Sequence, residues 1–135
     1  MALLQWGQDY SVGVQAIDGQ HKVLFDIVNE LHGAMLKGQA QTLTGPLLRK
    51  LAKYTQEHFT AEEAAMASAM YPGLADHKIK HRELIQKVEG YSARFEKGEI
   101  TLNLHLMNFL RDWLTEHIQK TDHEYGPWLN EHGVR

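Results

Sequence analysis

Seven side chains able to ligate a metal recur at helical spacings in this 135-residue chain: His21 alone, His58-x-x-x-Glu62, His77-x-x-x-His81 and His117-x-x-x-x-Asp122. Residues four apart on an α-helix lie about 40° from one another around its axis, so each four-residue pair projects to one side. The five-residue step is the exception. It turns about 140°, which on a regular helix would aim Asp122 away from His117. The fourth helical segment is therefore expected to loosen or end near Asp122, letting its carboxylate swing inward.

The breakers divide the chain into an arm and four helices. Residues 1–17 carry Trp6, Tyr10, Val12, Val14 and Ile17 among Gly7 and Gly13, too irregular for a helix and too glycine-dotted for a strand. Asp18 is a candidate N-cap for a helix over about 18–37, with Gly38 at its C-terminal end. A second helix is expected over about 43–70, with Pro46 in its first turn. Tyr71-Pro72-Gly73 is the sharpest break. A third helix spans about 74–96, closed by Lys97-Gly98, and a fourth about 101–120. Short connections between long helices imply antiparallel neighbours, so the expected fold is all-α: an up-down-up-down four-helix bundle forming one domain over 1–135. The tail Tyr125-Gly126-Pro127-Trp128-Leu129 reads as an aromatic cap.

The seams show where the ligand candidates belong. Spacings of three and four run through His21, Leu24, Val28, Leu31 and Met35; through Leu51, Thr55, His58, Glu62, Ala65 and Ala69; through Leu74, His77, His81, Leu84, Val88, Tyr91 and Phe95; and through Leu106, Leu110, Trp113 and His117. Each helix thus places histidines where leucines would otherwise sit. Alternating chain direction brings early His21, late His58 and Glu62, early His77 and His81, and late His117 to the same pole. In helices roughly 30 Å long, scattered histidines would have little reason to coincide in height.

A buried Glu62 among imidazoles and without a cation would carry a desolvation penalty of several kcal/mol, which a metal would remove. Seven ligands, five of them imidazoles, suit two ions sharing two carboxylates better than one. The chain has no cysteine, which rules out thiolate ligation and iron–sulfur clusters and leaves nitrogen and oxygen donors. Iron, zinc, manganese and copper all accept such donors. Glu-x-x-His motifs of the ferritin-like di-metal pattern are absent, which ranks oxygenase chemistry and iron storage lower. A net charge of −3 gives no electrostatic footprint for nucleic acid or anionic membrane. With no run long enough to span a bilayer and no cationic leader, a cytoplasmic protein without membrane insertion is expected.

Three segments resemble the hemerythrin family, in particular its bacterial single-domain members. They are Val14-x-x-Ile17-Asp18-x-Gln20-His21; His58-Phe59-x-x-Glu62-Glu63-x-x-Met66 with Tyr71-Pro72 and His77-x-x-x-His81; and Trp113-Leu114-x-x-His117 with Asp122. The resemblance implies a non-haem di-iron centre that binds O2 reversibly. His77, His81 and His117 would hold one iron and His21 and His58 the other. Glu62 and Asp122 would bridge them beside an oxo or hydroxo group. The iron with two histidines would keep an open position for O2, walled by Leu114, Leu24 and Phe59, with Trp113 beside the ligands. Ala65 stands where the family often has leucine, within the small-residue run Ala64–Ala69, which would pack closely or open a tunnel. His32, His105, His123 and His132 lie off the ligand pattern, and Glu63 faces about 100° from Glu62, so a place in solvent or behind a ligand is expected for it rather than coordination.

The function expected is oxygen storage or delivery by a monomer, with O2 as ligand and an oxygen-consuming enzyme or electron-transfer protein as recipient. A sensor module acting through a partner is the alternative from another class. A di-iron enzyme is a third, and would need an acid or base reaching the open position, which no matched residue supplies. The protein is accordingly expected not to be an enzyme.

Overall fold

The computed structural model describes residues 3–99 and 104–135, the side chains of residues 40, 104 and 105 excepted. Four long helices follow one another: α1 (Gln15–Leu36), α2 (Ala40–Ser68), α3 (Leu74–Glu96) and α4 (Leu104–Glu116). A π turn (His117–Thr121), a 3-10 turn (Asp122–Glu124) and a short α5 (Gly126–Glu131) complete the chain, and no strand occurs among the described residues. The expected start of the fourth helix at 101 lies outside the described residues, as does the His105 side chain. No helix is long and apolar enough to cross a membrane.

Two helix starts differ from the sequence expectation, each for a local reason. Helix α1 begins at Gln15 behind Val14, so Asp18 is not its cap. The Asp18 N–H already bonds the Val14 carbonyl at 2.9 Å. Its carboxylate reaches backward, accepting from Ser11 Oγ at 2.6 Å and the Val12 N–H at 2.9 Å. A carboxylate in a first turn complements the helix dipole, and here it also ties down the arm. Helix α2 starts at Ala40, and both Thr42 and Leu43 donate to the Gln39 carbonyl, so Pro46 falls inside the helix rather than in its first turn. The ring costs α2 the N–H that would have bonded the Thr42 carbonyl.

Three helices end in the same way, with a left-handed residue and a six-residue backbone bond closing over it. Gly38 (φ +70°) and Gly98 (φ +74°) take that position after α1 and α3, under bonds from Gln39 to Ala34 and from Glu99 to Arg94. After α2 the position is held by Met70 (φ +56°), whose side chain is 82% exposed.

Leu24, Val28 and Leu31 of α1, Leu48, Leu51 and Phe59 of α2, Val88 of α3, and Leu106, Leu110 and Leu114 of α4 form the main core. A second apolar cluster closes one pole, where Val12, Val14 and Ile17 meet Met66, Ala69, Tyr125 and Leu129. The arm lies across α1, with Trp6 and Tyr10 edge-on to Phe25, and Asn29 exchanges two hydrogen bonds with the Leu4 backbone. Within the small-residue run Ala64, Ala67 and Ser68 face solvent. Those three therefore cover the outside of α2 and line no tunnel.

Candidate metal centre

Each ligand candidate is delivered by the seam of its helix. His21 lies in the second turn of α1, His58 and Glu62 one turn apart late in α2, and His77 and His81 in the first turns of α3. The π turn resolves the five-residue step. Asp122 N–H bonds the His117 carbonyl, an i→i+5 closure that brings residues five apart round to the same side. All seven side chains are buried, with Glu62, Asp122 and His21 at 0% exposure and His117 the most open at 7%. A surface groove between α3 and α4, lined by Leu84, Phe109, Trp113 and His117, brings solvent nearest the cluster on that side.

The carboxylates stand between two sets of imidazoles. Nε2 of His21 lies 3.3 Å from Glu62 Oε1 and 3.0 Å from Asp122 Oδ2, and Nε2 of His58 also abuts Glu62 Oε1. The opposite oxygens face the second set. His77 and His81 lie 3.7 and 3.8 Å from Glu62 Oε2, and His77 and His117 lie 2.9 and 3.1 Å from Asp122 Oδ1. Two groups of donor atoms result, His77, His81 and His117 with both carboxylates, and His21 and His58 with both carboxylates, each within 4.8 Å.

The donor chemistry fits a cation. His58 and His81 each turn Nδ1 to an acceptor oxygen, of Gln20 at 2.5 Å and of Glu63 at 2.8 Å, so the ring proton sits on Nδ1. Their Nε2 atoms are then bare lone pairs, buried without hydrogen-bond partners and pointed at carboxylate oxygens. Lone pair against lone pair is repulsive until a positive ion lies among them. Glu62 Oε2, Asp122 Oδ2 and His117 Nε2 are likewise buried without hydrogen bonds.

The same crowding sets the protonation of the cluster. Burial lowers an imidazole, but Asp122 and Glu62 outweigh it and push His21 and His77 up to about 9. Burial prevails at His81, which falls to about 3. Burial raises a carboxyl, yet the imidazoles packed around it hold Glu62 well below the usual carboxylate range. At Asp122, burial and the Glu62 charge act upward, and His117 with His21 overcomes them. The cluster without metal is thus two carboxylates neutralised by protons on imidazoles, and a metal would take the place of those protons.

Of the expected wall residues, Phe59 stacks flat on His81 (centroids 3.7 Å, 4°) and lies 5.4 Å from His117. Leu24, Leu114 and Trp113 are buried in the core that runs up to the site. Tyr125, the first residue of the expected aromatic cap, is wholly buried with its ring 5.4 Å from that of His77. Burial, then the Asp122 and Glu62 charges, push its phenol well up. Gln20 and Glu63 were visible in the sequence only as neighbours of His21 and Glu62. Of the other histidines, His132 is exposed and stacks on Trp128, and His32 and His123 are half-buried.

Fold and site together define a helical bundle with a buried, polar pole able to hold a cation. The pattern of the hemerythrin HHE cation binding domain matches residues 12–129, and the chain belongs to the hemerythrin family. A bacteriohemerythrin of Methylococcus capsulatus is 37% identical over 131 residues, covering 96% of this chain and 99% of that one. A bacteriohemerythrin of Stenotrophomonas maltophilia is 36% identical, covering 98% and 85%. The crystal structure of a wild-type hemerythrin superposes with a TM-score of 0.88 at 36% identity, covering 95% of this chain and 98% of that one.

Proposed function

We propose that this protein binds O2 reversibly at a non-haem di-iron centre and so stores or delivers oxygen. The observation that carries the reading is the division of each carboxylate, one oxygen toward His21 and His58 and the other toward the His77, His81 and His117 side. Glu62 and Asp122 would bridge two irons beside an oxo or hydroxo group. His77, His81 and His117 would hold one iron and His21 and His58 the other, so that the second would have room for O2. Bound iron would supply reversible electron donation to O2. The chain's part is to orient the imidazoles, hold the carboxylates as anions and exclude water. Leu24, Leu114, Phe59 and Trp113 supply apolar surface for that last task, each at most 7% exposed. The recipient would be an oxygen-consuming enzyme or an electron-transfer partner.

The test is a visible spectrum of anaerobic Fe(II)-loaded protein, taken before O2, after O2, and after stripping under argon. A band that appears with O2 and disappears without added reductant supports reversible binding. Direct, irreversible passage to a ferric form refutes it. His58→Ala and His117→Ala should each lose the stoichiometry of two irons; two irons retained in either variant would remove that residue from the ligand set.

A further inference from the structure

Two of the five imidazoles have their outward nitrogen held by a neighbouring side chain, and the two holders differ in charge. Glu63 takes the Nδ1–H of His81 and Gln20 that of His58. On α2, Glu62 and Glu63 bracket the His81 ring from its two nitrogens: Glu62 on the Nε2 side, Glu63 on the Nδ1 side, one residue and about 100° apart. Phe59 lies flat on the same ring and opposes its rotation. Glu63 keeps its carboxylate a quarter exposed, close to Lys78 and Arg82. Gln20 offers His58 only a neutral amide oxygen.

We propose that Glu63 and Gln20 are positioning residues that fix His81 and His58 as Nδ1–H tautomers for ligation, and that their difference in charge makes the two metal positions electronically unequal. The proposal rests on the two-metal reading above. A carboxylate draws on the Nδ1 proton and raises electron density at Nε2, making His81 a stronger donor than an imidazole hydrogen-bonded to an amide. The position held by His77, His81 and His117 therefore favours the higher oxidation state. The position of His21 and His58 lacks that bias.

The tautomers can be read without metal. Long-range 1H–15N spectra of metal-free protein labelled at histidine should show His81 and His58 protonated at Nδ1 and bare at Nε2. Glu63→Gln keeps an acceptor oxygen and should keep the His81 tautomer; Glu63→Ala should spread the proton over both nitrogens. With iron bound, Glu63→Gln should raise the reduction potential. Glu63→Ala should weaken Zn(II) binding about 10- to 100-fold. An unaltered His81 tautomer in Glu63→Ala, or a wild-type potential in Glu63→Gln, overturns the proposal. If Glu63→Ala loses its helical circular dichroism, the Glu63→Gln potential decides alone. Wild-type protein with the stated tautomers but no uptake of two ions would sink the two-metal reading while supporting the positioning role.

Discussion

Gly126→Ala tests how tightly the arm is closed against the metal pole. A methyl built on Gly126 would lie 2.4 Å from the Val12 carbonyl oxygen, about 1 Å inside ordinary contact. Neither side can retreat easily. Val12 is pinned through its N–H to Asp18, and the Gly13 carbonyl accepts from Asn130 Nδ2 at 2.9 Å. On the other side Leu129 is fully buried and Trp128 Nε1 donates to the Ala69 carbonyl at 2.7 Å. Overpacking of this kind costs roughly 1–3 kcal/mol. For a chain of this length that lowers the melting temperature by roughly 3–12 °C. The control is Gly90→Ala in the middle of α3, where an added Cβ meets nothing within 4 Å and helix propensity favours alanine by about 1 kcal/mol. The same chemical change should thus shift melting in opposite directions, measured by circular dichroism on metal-free protein. A Gly126→Ala variant that melts at or above wild type while Gly90→Ala rises would refute the close approach of arm and α5.

Met70→Gly should stabilise by about 1 kcal/mol, since the left-handed position after α2 strains an exposed L-residue, and an unchanged or lowered denaturation midpoint would count against that strain. Because His21 and His77 are raised to about 9 without metal, both hold protons at pH 8 that ligation must expel. Loading Zn(II) at pH 8 should therefore release about two protons from these rings, with the release falling away above pH 9. Zero release in a pH-indicator titration would show that these rings are not displaced by metal. Leu114→Asn should shorten the lifetime of the oxygenated form, followed as spectral decay; an unchanged lifetime would take Leu114 out of the pocket wall.

The bundle and its polar pole were legible because both follow from spacing. His58 and Glu62, or His77 and His81, share a helix face whatever surrounds them, and alternating chain direction sets their common height. What escaped the sequence depends on groups meeting across elements. Asp18 reads as a cap until the arm folds back to offer Ser11 and the Val12 N–H. Glu63 reads as either solvated or placed behind a ligand, and only α3, bringing the His81 ring beside it, decides between the two. Tyr125 reads as part of an aromatic cap, but its contact with His77 depends on where the chain turns after Asp122. The run Ala64–Ala69 read as core-facing, yet periodicity gives Ala64, Ala67 and Ser68 to solvent once Met66 and Ala69 take the apolar cluster.

The π turn also sets the rotational phase of everything that follows it. An α-helix advances about 100° per residue, and the turn holds one residue more than a regular helix would use for the same circuit. Winding these same residues into a regular i→i+4 repeat, with none removed, would swing the rest of the chain by that angle. Asp122, Tyr125 and Leu129 would leave the pole together, because all three take their orientation from the same surplus residue. Carboxylate donor and apolar closure are thus a single geometric unit, and loss of the π closure at unchanged chain length would remove both in one step.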